Sequence, residues 1–173
     1  MRLFLFAALL ALSVPASAKA EPTLVGRATV IDGDTIEIRD ERIRLNGIDA
    51  PESAQLCRNS EGQRYRCGKT SAQVLDELLA VSRPTRCEFV ERDRYGRFVG
   101  VCYRNDGKSV AELMVQNGWA LDWPRYSKGE YADEQAQAKS KRTGMWSGTF
   151  MTPWEWRAER RANRSVIQPS IPN

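Results

Sequence analysis

Between Val30 and Glu52 the chain reads VIDGDTIEIRDERIRLNGIDAPE, and this run constrains the fold more than any other. Ile36 and Ile38, then Ile43 and Leu45, alternate with polar residues, the two-residue period of half-buried strands. Polar reversals at Asp32–Gly33 and Asp40–Glu41 separate them. With the preceding stretch from Thr23 the pattern predicts a three-strand meander. A meander brings the end of its first strand near the end of its third, so Asp34 and Asp49 can meet in space. Asp-Gly by itself is an ordinary hairpin signal. Asp34 is different: it shares the parity of Ile36 and Ile38 and so points inward, where a carboxylate is costly unless paired.

The later segments complete an α+β order. After Pro51 comes a polar loop, ESAQLCRNSEGQRYRCG, with Cys57 and Cys67 around its tip. Thr70–Leu79 places Val74, Leu75, Leu78 and Leu79 on one helical face. RCEFVERDRYGRFVGVCY has the alternation of a second hairpin. SVAELMVQNG opens on a capping box, Ser109 with Glu112, and stops at Gly118. A last helix is predicted over roughly Glu130–Thr143. Five strands with a helix after the third fit a five-stranded OB-fold β-barrel with three α-helices, occupying residues 21–150. Residues 151–173 are set apart as a basic, then proline-containing tail. Trp154 and Trp156 are candidates to dock, and disorder is expected over residues 164–173.

Residues 1–20 have the basic start, apolar run and small-residue end of a secretory signal peptide. The apolar run is short for a permanent membrane span, so no stable membrane association is expected once it is removed. The whole chain has 26 basic and 22 acidic residues; losing Arg2 and Lys19 with the leader leaves a net charge of only +2. Any basic surface must therefore be local. Four cysteines, Cys57, Cys67, Cys87 and Cys102, favour two disulfides in an exported chain. Three connectivities are possible; Cys87 and Cys102 flank RDRYGR as cross-strand partners would, which leaves Cys57 and Cys67 to close a loop. Zinc is the rival, weakened by the spacing and by the absence of histidine.

That absence also removes histidine-based nucleophilic and general-base catalysis. What remains is carboxylates, arginines and an oxygen-ligated metal. Asp34 and Asp49, with backbone carbonyls and water, suit a hard cation such as Ca²⁺. Glu52, held by Pro51, can position or deprotonate a water. Arg44 and Arg97 offer forked donors to phosphate. The set describes a metal-assisted phosphodiesterase.

VIDGDTIEIRDERIRLNGIDAPE, RDRYGR and EQAQAKSKRTGMWS together resemble the staphylococcal nuclease (thermonuclease) family, over about Thr23–Ser147. The resemblance implies an OB-fold barrel and Ca²⁺-dependent hydrolysis of DNA and RNA to 3′-phosphate products. It implies Asp34 and Asp49 as side-chain metal ligands and Ala50 as a backbone-carbonyl ligand. Arg44 and Arg97 would bind the reacting phosphate, Glu52 would orient or activate the attacking water, and Asp32 would be an outer carboxylate behind the ligands. Arg94 and Tyr95 would contact the nucleotide, with Trp123 or Tyr126 as a stacking surface. The Cys57/Cys67 pair departs from the staphylococcal pattern.

The expected protein is thus an exported, periplasmic or secreted monomer acting on DNA and RNA, with unpaired regions preferred. The alternative, from another class, is a nuclease-like OB module in exopolysaccharide (succinoglycan-type) biosynthesis or oligosaccharide binding, since some succinoglycan biosynthesis proteins resemble this family and OB barrels bind sugars too.

Overall fold

The computed structural model describes residues 22–167. The signal-peptide expectation for residues 1–20 lies outside them, as does the disorder expected for residues 168–173; residues 164–167, also expected to be disordered, instead end a helix. Among the described residues no helix is long and apolar enough to cross a membrane.

The strands are β1 (Thr23–Gly26), β2 (Thr29–Asp32), β3 (Thr35–Ile38), β4 (Glu41–Leu45), β5 (Ile48–Asp49), β6 (Cys57–Arg58), β7 (Arg64–Tyr65), β8 (Thr85–Arg92), β9 (Phe98–Tyr103) and β10 (Leu121–Asp122). The helices are α1 (Cys67–Val81), α2 (Val110–Gln116), α3 (Pro124–Ser127), α4 (Ala132–Ser140) and α5 (Pro153–Ile167). The principal sheet runs β1-β8-β9-β4-β3-β2. Its two ends, β1 and β2, are halves of one continuous segment broken at Arg27–Ala28, so the sheet curls back on itself. Counted that way it is a five-stranded barrel, with β4 parallel to β9 and the other pairs antiparallel. This is the OB-fold α+β architecture, with α1 inserted after the third barrel strand.

Local chemistry explains the turns. Arg39 and Asp40 both take positive φ, 53° and 64°, in the two-residue loop joining β3 to β4. That loop geometry matches the twist of the flanking strands. Alternation is obeyed: Ile36, Ile38, Ile43 and Leu45 are buried and packed against Leu75, Leu79, Val110 and Met114 from the helices. Ser109 caps α2 by accepting from the Glu112 amide at 3.3 Å. Cys87 and Cys102 are cross-strand partners and are disulfide-bonded; Cys57 and Cys67 form the second disulfide.

The segment set apart as a tail holds helix α5. Its start shows the reciprocal bonds of a capping box: the Thr152 amide donates to Glu155 Oε2 at 3.1 Å and the Glu155 amide donates to Thr152 Oγ1 at 3.4 Å. Just before it, the backbone of Thr149 pairs with Arg58 in both directions. Gln55, fully buried, donates to the Met151 carbonyl at 2.7 Å and accepts from the Glu52 amide. The loop closed by the Cys57–Cys67 disulfide therefore steers the chain back across the barrel mouth.

Candidate active site

The barrel gathers the carboxylates as the meander requires. Asp34 sits at the β2–β3 turn, 4 % exposed, with its carbonyl accepting from the Leu45 amide of β4. Its side chain accepts from Thr35 Oγ1 at 3.0 Å and from the Ala50 amide at 3.2 Å. Asp49, on β5, is fully buried. Arg44 on β4 joins them: Nη1 donates to Asp34 Oδ1 and Nη2 to Asp49 Oδ1, both at 2.9 Å. Burial alone would lower the Arg44 pKa; the two carboxylates outweigh it and hold the guanidinium charged. Asp32 lies behind, its Oδ1 accepting from the Asp34 amide. Burial, with Asp34 close by, pushes its carboxyl up to about 7.

Sequence reasoning missed one participant. Arg157 of α5 forks onto Asp49, Nη1 to Oδ1 at 3.0 Å and Nη2 to Oδ2 at 2.6 Å, and Nη1 also donates to Glu52 Oε1 at 2.8 Å. Its pKa is driven upward: burial opposes the charge, but bonds to Asp49 and Glu52 prevail. Burial likewise pushes the Asp49 carboxyl up against the pull of Arg157; its three charge-assisted bonds mark it as a carboxylate. Arg44 and Arg157 both lie over the Trp123 ring, each 5.5 Å from its centre, and Trp154 of α5 stacks parallel to Trp123 at 6.3 Å. Trp123 is held in place by its amide donating to the Gly47 carbonyl. The signal that could have revealed α5 was Thr152-Pro-Trp-Glu155, a capping box with proline at the first helical position.

These groups open into a cleft of about 1170 Å³ lined by Asp32, Asp34, Arg44, Ala50, Glu52, Trp123, Trp154 and Arg157. Arg94, Tyr95 and Arg97 line the same cleft. Arg97 is held by Asp93, with Nε to Oδ2 at 2.8 Å, so it faces the cleft without touching Asp34 or Asp49. Tyr95 is 70 % exposed and has Arg94 and Arg97 over its ring. Tyr126 packs edge-on to Trp123 at 4.5 Å. Arg42, Arg92, Arg125 and Arg161 add positive charge to the walls. Arginines thus outnumber carboxylates along the cleft, where Glu91 and Asp93 join Asp32, Asp34 and Glu52 on the acidic side.

The donor set fits a hard divalent cation. Asp34 and Asp49 face each other across Arg44, Ala50 follows Asp49, and every available donor is oxygen. Among the described residues no three His, Cys, Asp or Glu side chains form a metal cage by themselves. The resemblance implies that a cation here would take the two carboxylates, the Ala50 carbonyl and water.

The family described as staphylococcal nuclease homologue matches residues 42–148, and the chain belongs to that family. The chain is 53% identical over 140 residues to a Rhizobium meliloti (strain 1021) protein named succinoglycan biosynthesis protein ExoI, covering 81% of this chain and 73% of that one. It is 35% identical over 134 residues to an uncharacterized endonuclease of Escherichia coli O157:H7, covering 74% and 80%. An Arabidopsis thaliana staphylococcal-like nuclease, CAN1, is 39% identical over 124 residues, which are 69% of this chain and 34% of that one. Helix α5 lies beyond the matched family segment.

Proposed function

We propose that the protein is an exported, Ca²⁺-dependent nuclease that hydrolyses phosphodiester bonds of DNA and RNA, leaving 3′-phosphate and 5′-hydroxyl ends. One observation carries the reading: Asp34, Arg44 and Glu52 line a single arginine-rich cleft, and Asp49 is buried beside it, bonded to Arg44. A cation held by Asp34, Asp49 and the Ala50 carbonyl would polarise the phosphate and lower the pKa of water beside it. Glu52, whose side chain is 36 % exposed toward the cleft, takes the proton as the water oxygen bonds to phosphorus and the bond to the 5′ oxygen breaks. Arg97, and Arg44 from beneath, stabilise the charge that builds on the phosphoryl oxygens. Tyr95, between two arginines, and the Trp123–Tyr126 wall offer faces to unpaired bases, which supports a preference for single-stranded segments. Two disulfides support action in an oxidising compartment, periplasmic or extracellular.

A second reading follows from the relative named for succinoglycan biosynthesis: the same cleft serves exopolysaccharide production. The test is cleavage of single-stranded DNA, duplex DNA and RNA by the oxidised protein, with Ca²⁺, with a chelator, and with Glu52→Gln. Calcium-dependent cleavage that falls by orders of magnitude in the variant supports the nuclease. A folded protein that cleaves none of them refutes it and favours the polysaccharide role.

A further inference from the structure

The proposed reaction uses Asp34, Asp49 and Glu52, but not the guanidinium bound to two of them. Arg157 arrives from outside the matched family segment and spends its bonds on carboxylates. A carboxylate offers about four acceptor positions. On Asp49, Oδ1 already accepts from both Arg44 and Arg157, and Oδ2 accepts from Arg157. Glu52 Oε1 is also engaged by Arg157. The oxygens needed for a divalent cation and its water are thus neutralised by a resident monovalent one.

The attachment of α5 is shallow. Its hold on the site comes from its first five residues, where Pro153 is buried, Trp154 lies on Trp123 and Arg157 is half-buried, and Arg161 further along also lines the cleft. Residues 158–164 are all exposed. A helix whose outer residues face solvent can loosen without disturbing the barrel core.

Resting on the reading of a cation site at Asp34 and Asp49, we infer that Arg157 is a latch: its fork onto Asp49 and Glu52 competes with the divalent cation, and cation binding lifts α5 from the cleft mouth. Two positive groups contending for one buried carboxylate are coupled negatively, and the coupling is reciprocal. The cation loosens α5 by the same factor by which α5 weakens the cation. The device makes the cleft a gated one, opened by divalent cation rather than standing ready.

Calcium titration calorimetry on the oxidised, full-length mature chain tests this. Wild type, Arg157→Ala, Arg157→Gln and Arg164→Ala are compared, with amide hydrogen exchange of α5 read in parallel. Both Arg157 variants are expected to bind Ca²⁺ about tenfold more tightly than wild type, within the ordinary range of such couplings. Arg164→Ala removes the same charge from the exposed end of the helix and is expected to change affinity by about twofold at most, because solvent screens it. In wild type, saturating Ca²⁺ should speed exchange in α5. Equal or weaker Ca²⁺ binding by the Arg157 variants overturns the latch, as does equal tightening by Arg164→Ala. Exchange unchanged by Ca²⁺ in wild type overturns it without reference to any variant. Absence of Ca²⁺ binding by every protein overturns both the latch and the cation site beneath it.

Discussion

Replacing Gly68 with alanine should damage the active site from behind. Gly68 is the second residue of α1 and is buried against the loop that carries Glu52. A Cβ built there falls 1.9 Å from the Glu52 carbonyl oxygen, 2.4 Å from its carbonyl carbon and 2.9 Å from the Ser53 nitrogen. Carbon and oxygen ordinarily meet at about 3.3–3.6 Å, so the two backbones must part by more than about 1 Å. Helix propensity argues the other way, since alanine gains about 1 kcal/mol over glycine inside a helix. Overpacking costs about 1–3 kcal/mol, and here the obstacle is backbone rather than a yielding side chain. The net expectation is a loss of about 1–2 kcal/mol, a fall of a few degrees in Tm. Activity should suffer more, because a displacement of about 1 Å in a catalytic group can cost about 100-fold. Denaturant melts and nuclease rates with Ca²⁺ would be measured beside Gly62→Ala. Gly62 has open space around it and a φ of +79°, so that control pays strain without moving Glu52. Gly68→Ala that cleaves at the wild-type rate would refute the claim that this contact fixes Glu52.

Arg44→Met removes the link between Asp34 and Asp49 and should destabilise by about 3 kcal/mol, the low end for a broken buried pair, because Asp49 keeps Arg157; urea melts check this. Replacing both Cys57 and Cys67 with alanine frees a loop of sequence separation 10, and loop-closure entropy puts the loss at about 2.7 kcal/mol. Thermal melts with and without reductant should show it, and cleavage should fall further than stability because the segment leading into that loop bears Glu52. Asp32, its carboxyl raised to about 7 by burial and by Asp34, gives a pH signature. The unfolded chain ionises near 3.8 while the native state keeps its proton until about 7, so the native state loses stability as pH rises through that window. Asp32→Asn should flatten the slope, and parallel Tm profiles from pH 5 to 8 would refute the assignment.

The barrel and most of the site were legible because their signals are local. Alternation fixed the faces of β3 and β4, parity placed Asp34 inward, and the symmetric spacing of Cys87 and Cys102 matched their strand register. The number of strands was harder: a single bend at Arg27–Ala28 lets one segment serve both edges of the sheet, and nothing in the residue pattern marks that division. Arg157 was illegible for a different reason. A run of arginines with exposed neighbours reads as solvated, and only tertiary docking, set up by Gln55 and the Thr149–Arg58 pairing far upstream, gives one of them a carboxylate partner. Arg97 shows the reverse case: its motif singles it out and it lines the cleft, but its salt bridge to Asp93 is invisible to the motif.

The distance along the chain between the two halves of the site has a consequence for manufacture. Arg157 follows Asp49 by 108 residues and Glu52 by 105. A chain made from its amino end has the acidic half of its site long before the residue that covers it. Every element of the barrel precedes α5, so a product cut short near residue 152 retains the strands and helices of the core. Loss of the carboxyl end would then keep the barrel's elements and leave Arg44 as the arginine holding Asp34 and Asp49. Trimming by a protease would change how the molecule behaves without erasing it.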